Sequence, residues 1–162
     1  MFGFRSVLDF ADADFRGRGL LLLFIALSAA FLVFGGLQAR ESVLVYKSPD
    51  CDCCDRWVGY LRASGFAVTV RDTADMGAVK ARVGVPRPLA SCHTAVASNY
   101  VIEGHVPNSI IGRLLKGNPP IAGIAVPGMP QGSPGMEGPR PVTYDVLAFD
   151  RIGVTTFYEQ ID

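Results

Sequence analysis

Three cysteines fall within four residues of the chain, at Cys51, Cys53 and Cys54. Cys51 and Cys54 have the spacing C-x-x-C, which on the first turn of a helix lets both sulfurs face the same side. A helix N-terminus carries positive potential that favours the thiolate over the thiol. The pair is therefore predicted to do redox or metal chemistry, and the additional sulfur of Cys53 favours a cluster that binds or bridges soft metal ions.

A fourth cysteine and the two histidines extend this inventory. Cys92 is followed directly by His93, just before a predicted strand, and His105 lies at the end of that strand. We expect the loop that carries Cys92 and His93 to approach the C-x-x-C turn and to complete the site. An isolated histidine is often only a hydrogen-bonded polar residue. The cysteine next to His93 is what favours a metal site here.

Two methionines add thioether sulfur to the candidate site. Met129 and Met136 lie in the Pro- and Gly-rich stretch 127–141, which has little core for them to fill. Thioether, thiolate and imidazole together describe a site suited to Cu(I) or to zinc, and unsuited to magnesium or calcium. Zinc is predicted to use four ligands, at Cys51, Cys54, Cys92 and His93. Cu(I) is favoured because it also accounts for the third cysteine and both methionines.

Other interpretations of the cysteines remain open. In an oxidising compartment four cysteines could form structural disulfides, but short loops such as the one between Cys51 and Cys54 give little stabilisation. A thiol-disulfide oxidoreductase, in which Cys51 attacks and Cys54 resolves, leaves Cys53 without a role. A zinc-stabilised interaction module is the third alternative.

The elements that would position these side chains follow from apolar periodicity. Residues 42–47 form a β-branched-rich run typical of a buried strand, and residues 66–70 form another. Between them, Cys54, Trp57, Val58 and Leu61 have the spacing of one helix face. A strand, then C-x-x-C, then a helix within a β-α-β unit is typical of thioredoxin-like proteins.

Further elements extend this unit. Helices are predicted over 75–83 and 107–116, one strand over 94–102, and a terminal hairpin of 144–149 with 154–158. Residues 117–142 are predicted to be a long loop. The fold class is therefore α/β, a thioredoxin-like small sheet of four or five strands with flanking helices, plus an N-terminal hydrophobic helix.

That N-terminal helix is predicted from residues 19–37, where Ser28 is the only polar side chain. A run of this length is long enough to cross a membrane, so residues 1–39 are predicted to be a signal peptide or a membrane anchor. Residues 40–162 then form one domain in an oxidising compartment. This domain has 12 basic and 12 acidic residues, which argues against nucleic-acid binding through bulk charge.

Five motifs, in order, resemble those of the CopG-type copper-resistance proteins. They are Ser48-Pro49-x-Cys51-x-Cys53-Cys54-x-x-Trp57, Ser91-Cys92-His93-Thr94, Gly104-His105-Val106-Pro107, Pro127-Gly128-Met129-Pro130 and Ser133-Pro134-Gly135-Met136-Glu137. Asp52 is a departure, since family members often have glycine there.

The resemblance implies a thioredoxin-like fold, a periplasmic location, copper bound through the cysteines and a role in copper tolerance, with redox chemistry of the metal as an extension. Copper ions and other periplasmic copper-handling proteins are the expected partners. The inner membrane is a further partner if the N-terminal segment is not cleaved.

Overall fold

A computed structural model describes residues 40–162, which form a mixed α/β fold with one seven-stranded sheet and three α-helices. Within this range, no helix is long and apolar enough to cross a membrane. The predicted leader or anchor, residues 1–39, lies outside the described residues.

The sheet has the strand order β2-β1-β3-β4-β5-β6-β7. Its strands are β1 (Ser42–Lys47), β2 (Ala67–Asp72), β3 (Thr94–Ala97), β4 (Tyr100–Gly104), β5 (Gly123–Val126), β6 (Tyr144–Phe149) and β7 (Thr155–Ile161). The pairs β1–β2 and β4–β5 are parallel, and the other pairs are antiparallel. The two strands of the predicted β-α-β unit, β1 and β2, therefore lie side by side at one edge of the sheet.

Three α-helices connect these strands: α1 (Asp52–Ala63), α2 (Met76–Val83) and α3 (Asn108–Gly117). Helix α2 begins after Asp75, whose carboxylate accepts the N–H of Ala78, and ends at Gly84 in the left-handed conformation. Helix α3 begins after Pro107, whose carbonyl accepts the N–H groups of Ile110 and Ile111. A short 3-10 turn, Arg87–Leu89, follows α2.

The core consists of two apolar clusters, one on each face of the sheet. The larger cluster contains the buried stripe of α1 and the stripe of α3 formed by Ile110, Ile111 and Leu114. The smaller one contains Val101 and Phe149 together with residues after α2. Ile102 follows Val101 in β4 and belongs to the larger cluster, as the alternation of side chains along a strand requires.

Three sequence predictions are wrong in detail. The sheet has seven strands rather than four or five. The single strand predicted over 94–102 is a hairpin of β3 and β4, because Ser98 adopts a positive φ and makes a two-residue turn with Asn99. The loop predicted over 117–142 contains β5, a buried Gly-Ile-Ala-Val run.

Candidate metal centre

Lys47, at the end of β1, fixes the turn that leads into the cysteines. Its side chain is buried, and its ammonium group donates to the carbonyls of Ser48 and Pro49, at 3.2 Å each. It also forms ion pairs with Asp55 of α1 and Asp72 of β2. A buried ammonium needs such partners, so strand, turn and helix are tied together at one point.

The three clustered cysteines lie at the start of α1. Cys51 is the residue before the helix, and its sulfur forms a disulfide with that of Cys54. Cys54 is fully buried because it begins the apolar stripe of α1. The free sulfur of Cys53 lies 3.5 Å from that of Cys51.

Cys92 approaches this turn from the segment before β3. Its sulfur lies 3.9 Å from that of Cys53, 3.0 Å from Nε2 of His105 and 3.3 Å from Nδ1 of His93. The four cysteine sulfurs lie within 4.8 Å of one another, and so do the ligand atoms of Cys92, His93 and His105. Cys92 therefore belongs to both groups of potential ligands.

His105 has a defined orientation and protonation. Its Nδ1 lies 2.8 Å from the carbonyl oxygen of Pro134, which only accepts hydrogen bonds, so Nδ1 carries the proton. In the neutral ring Nε2 then keeps its lone pair and faces Cys92. A carbonyl that fixes a histidine in this way is the usual outer partner of a metal-ligating imidazole.

His93 is fully buried in the same place. Its ring lies 4.3 Å from the ring of Trp57 and 4.9 Å from that of His105, centroid to centroid. Trp57 is itself held by a hydrogen bond from its indole N–H to the carbonyl of Val106. Within residues 40–162, Nε2 of His93 has no hydrogen-bond partner, which is costly for a buried nitrogen and leaves it free for a ligand.

Residues 133–137, here called the strap, pack against the start of α1. Arg56 donates to the carbonyl of Gly135 at 3.0 Å, and the N–H of Gly135 donates to the Glu137 carboxylate. Gly135 has a φ of +83°, and a Cβ there would lie 2.8 Å from the carbonyl oxygen of Cys53. Only glycine fits this position, since both the backbone conformation and the space exclude a side chain.

The two methionines are placed differently. Met136 is half-buried and directly follows Gly135, so it belongs to the strap. Met129 lies earlier in the same loop, with a φ of +53° and 40% of its surface exposed. Met136 is therefore the better situated of the two predicted thioether ligands.

Burial controls the protonation of the site. Burial, together with the neighbouring Cys53, raises the pKa of the Cys92 thiol to about 12. Burial also lowers the pKa of His105, and that of His93 far more. At neutral pH the metal-free site thus has a Cys92 thiol beside two neutral imidazoles, and a soft cation that binds Cys92 displaces its proton.

Six of the eight predicted ligands are brought together by the fold: Cys51, Cys53, Cys54, Cys92, His93 and His105. Sequence reasoning missed Lys47 and the carbonyl of Pro134, which position them. A lysine that ends an apolar strand was a signal for the first, whereas a backbone carbonyl leaves no sequence signal.

The oxidation state of the cysteines decides how many sulfurs are free to bind metal. With the Cys51–Cys54 disulfide closed, the thiols of Cys53 and Cys92 are available. Two electrons convert the disulfide into two further thiolates. Reduction of this disulfide would therefore raise the number of free sulfurs in the cluster from two to four.

Comparisons with known proteins agree with this description. Residues 89–136 match a family described as "Protein of unknown function, DUF411". Two solved structures of "Copper resistance protein copG", Form 2 and Form 1, are each 42% identical to the chain. Form 2 has a TM-score of 0.72 and covers 76% of this chain and 99% of its own, and Form 1 has a TM-score of 0.71 with 75% and 98%. No curated protein sequence matches the chain.

The fold and the site define a small α/β protein with a cluster of thiol and imidazole groups suited to soft metal ions. The identity, the coverage and the shared fold then establish the family. The chain belongs to the CopG family of copper-resistance proteins, and its cysteine cluster fits a copper-handling role.

Proposed function

We propose that this protein sequesters Cu(I) in the periplasm through its cysteine cluster and so contributes to copper tolerance. The observation that supports this most is the convergence of four sulfurs and, through Cys92, of two imidazoles within 4.8 Å. Thiolate and imidazole are ligands that Cu(I) prefers, and thiolates readily bridge two such ions. Cys51, Cys53, Cys54 and Cys92 are the proposed thiolates, with His93 or His105 and one methionine completing the set.

Copper explains the site better than zinc does. A structural zinc site uses four ligands in a closed tetrahedron, whereas the two ligand groups of this site share one sulfur. Four ligands would leave the remaining sulfur and imidazole groups of the cluster unused.

The disulfide adds a redox element to the proposal. Two Cu(I) ions that each give up one electron supply the two electrons that convert the Cys51–Cys54 disulfide into two thiolates, and the ions become Cu(II). In the reverse direction the two thiolates reduce two Cu(II) ions and close the disulfide. The cluster is thereby able to cycle copper between its two oxidation states.

A periplasmic location and a thioredoxin-like core belong to the same proposal. The order β2-β1-β3-β4, with a parallel pair followed by antiparallel pairs and C-x-x-C at the start of α1, supports the core. The apolar run of residues 19–37 supports export, with the leader either cleaved or kept in the inner membrane. Other periplasmic copper-handling proteins are the proposed partners.

A thiol-disulfide oxidoreductase is the second candidate, and the closed Cys51–Cys54 bond favours it. In that function Cys51 is the attacking thiol and Cys54 the resolving one. The buried position of Cys54 suits a resolving cysteine, because external thiols then meet Cys51 first. Cys53 takes no part in this reaction.

Cys53→Ser separates the two candidates. In the reduced protein this substitution should weaken Cu(I) binding or lower the number of ions bound, because Cys53 contributes a sulfur beside Cys51 and Cys92. The measurement is a titration with Cu(I) against a chromophoric chelator, with Zn(II) run in parallel. The rate at which the protein reduces a substrate disulfide should be similar in Cys53→Ser and in the parent protein.

Unchanged copper binding in Cys53→Ser, together with efficient reduction of a protein disulfide, would reverse the ranking. Tight binding of Zn(II) without preference for Cu(I) would instead favour a zinc-stabilised module. Ser64→Ala, at the exposed end of α1, is the matched control that changes one small polar side chain away from the cluster.

A further inference from the structure

Glu103 is a fully buried carboxylate in β4, two residues before His105. Its Oε1 accepts from the ammonium group of Lys80 at 2.5 Å and from the backbone N–H of Ser91 at 2.6 Å. Its Oε2 accepts from the hydroxyl of Thr94 at 2.7 Å. The side chain thus bridges helix α2, the segment before β3, and β3 itself.

Such a group is unusual at the centre of a sheet. A buried carboxylate is costly unless it is paired and hydrogen-bonded, and apolar residues of the same volume are often neutral or better for stability. Lys80 provides the pairing, with only 13% of its side chain exposed. Stability alone therefore gives little reason for this ion pair.

Position gives a better reason. Ser91 immediately precedes Cys92, and the hydrogen bond from its N–H ties the start of the Cys92 segment to β4. At the other end of the Cys92 segment, the N–H of Gly104 in β4 donates to the carbonyl of His93 at 3.1 Å. Between these two anchors the main chain has little freedom, so the Cys92 sulfur is held near Cys53 and His105.

We propose that Glu103 is a positioning residue for Cys92: its hydrogen bond to the N–H of Ser91 places the Cys92 sulfur between Cys53 and His105. Its effect on copper rests on the proposed function, whereas its effect on the position of Cys92 does not. Lys80 acts through Glu103, because the ammonium group keeps the carboxylate in place.

The test compares two double variants that differ in the hydrogen bonds of residue 103, to the N–H of Ser91 and to the Thr94 hydroxyl. Lys80→Met/Glu103→Gln keeps an oxygen that accepts the N–H of Ser91, while the amide NH₂ donates to the Thr94 hydroxyl. Lys80→Met/Glu103→Met has nearly the same shape but no acceptor. Both lack the buried ion pair, so a difference between them reports the hydrogen bonds of residue 103, of which the one to Ser91 holds the Cys92 segment.

The first readout needs no metal. In the full chain with Cys51→Ser and Cys54→Ser, Cys53 and Cys92 are the remaining thiols. Diamide oxidises them to a disulfide, taking up two electrons and two protons, at a rate that depends on how often the two sulfurs meet. We expect the Gln variant to cross-link within about threefold of the parent rate. The Met variant should cross-link about tenfold more slowly, because a tenfold factor corresponds to the free energy of about one hydrogen bond.

The second readout is the Cu(I) dissociation constant of the reduced full chain with its four cysteines. We expect it to rise about tenfold in the Met variant and little in the Gln variant. Thermal unfolding of both variants monitors the fold. If the Met double variant does not fold, the single substitutions Glu103→Gln and Glu103→Met make the same comparison, with Lys80 able to extend towards solvent.

Equal cross-linking rates in the Gln and Met variants would overturn the proposal, whether both rates match that of the parent or both fall below it by the same factor. A clear difference in cross-linking, with no tight Cu(I) binding by the parent chain, would support the role of Glu103 and contradict the proposed function. The experiments can therefore contradict the role of Glu103 and the proposed copper function independently of each other.

Discussion

At the scale of single residues, Cys92 is the point where the thiol and imidazole groups meet. Its sulfur lies between Cys53 and Nε2 of His105, and burial raises its pKa to about 12. A free thiol with this pKa is a poor nucleophile at neutral pH, because little thiolate is present. Metal binding, which displaces the proton directly, uses this sulfur more effectively than disulfide exchange does.

The buried histidines make the stability of the metal-free protein depend on pH. Burial holds the pKa of folded His93 well below its ordinary value, whereas in the unfolded chain it titrates near pH 6.5. As pH falls below about 6.5, the unfolded chain binds a proton that the folded protein does not, so stability decreases by up to about 1.4 kcal/mol per pH unit for this histidine.

His93→Phe should flatten this dependence, because it keeps an aromatic ring against Trp57 and removes the titrating group. The measurement is urea denaturation of the metal-free protein at pH 7.5 and 5.5. His105, whose pKa is lowered less, accounts for the slope that remains. An identical slope in His93→Phe and in the parent protein would contradict this account of the buried imidazole.

At the scale of elements, the strap connects the Pro- and Gly-rich loop to the cysteine turn. Its contacts are backbone contacts: Pro134 to His105, and Gly135 to Arg56. The loop thus positions a ligand through main-chain carbonyls, and its glycines and prolines set the path that brings these carbonyls there.

Gly135→Ala should release the strap. The new methyl group would lie 2.8 Å from the carbonyl of Cys53 and 2.9 Å from the N–H nitrogen of Trp57, in a backbone conformation that already disfavours alanine. Gly128→Ala is the matched control, since its φ is +76° but a methyl group there meets no atom within 4 Å.

We expect Gly135→Ala to lower the unfolding temperature more than Gly128→Ala, to increase proteolysis within the strap and to weaken Cu(I) binding about tenfold, as loss of one hydrogen bond to a ligand would. Equal effects of the two substitutions would show that backbone strain, and not the packing of the strap, matters.

The methionine prediction also belongs to this loop. Met136→Leu keeps size and apolarity and removes the thioether, so folding should change little. Cu(I) affinity should fall in Met136→Leu more than in Met129→Leu, because Met136 follows the residue that packs on Cys53, whereas Met129 lies outside the strap with 40% of its surface exposed. Met76→Leu in α2 is the control. Equal Cu(I) affinities in all three variants would remove both methionines from the site.

The sequence was most informative where one element has one strong pattern. The stripe of Cys54, Trp57 and Leu61 predicted α1, and the β-branched-rich run after it predicted β2. It was least informative where short elements share composition with loops. Strand β5 is four residues long and begins with glycine, so only its pairing with β4 and β6 reveals it.

The candidate site shows the same division. Cysteine and histidine spacing predicted which side chains would meet, because these residue types are scarce and their chemistry is specific. Glu103 was missed because a single acidic residue in an apolar strand resembles an edge or a turn. Its partners Lys80 and Ser91 lie 23 and 12 residues away, and only the folded sheet brings them to it.

At the scale of the whole molecule, the domain combines a neutral surface with a chemically specific interior. Its balanced charges give no long-range attraction for nucleic acid or for acidic partners. Selectivity therefore comes from the cluster of sulfur and imidazole ligands at the junction of β1 and α1.

X-ray absorption at the copper edge of the reduced, Cu(I)-loaded protein tests the central claim most directly. The account predicts copper surrounded mainly by sulfur, with an imidazole contribution, and a loss of sulfur neighbours in Cys53→Ser. Copper surrounded by oxygen and nitrogen, or a spectrum unchanged by the loss of Cys53, would contradict the assignment of the cysteine cluster as the copper site.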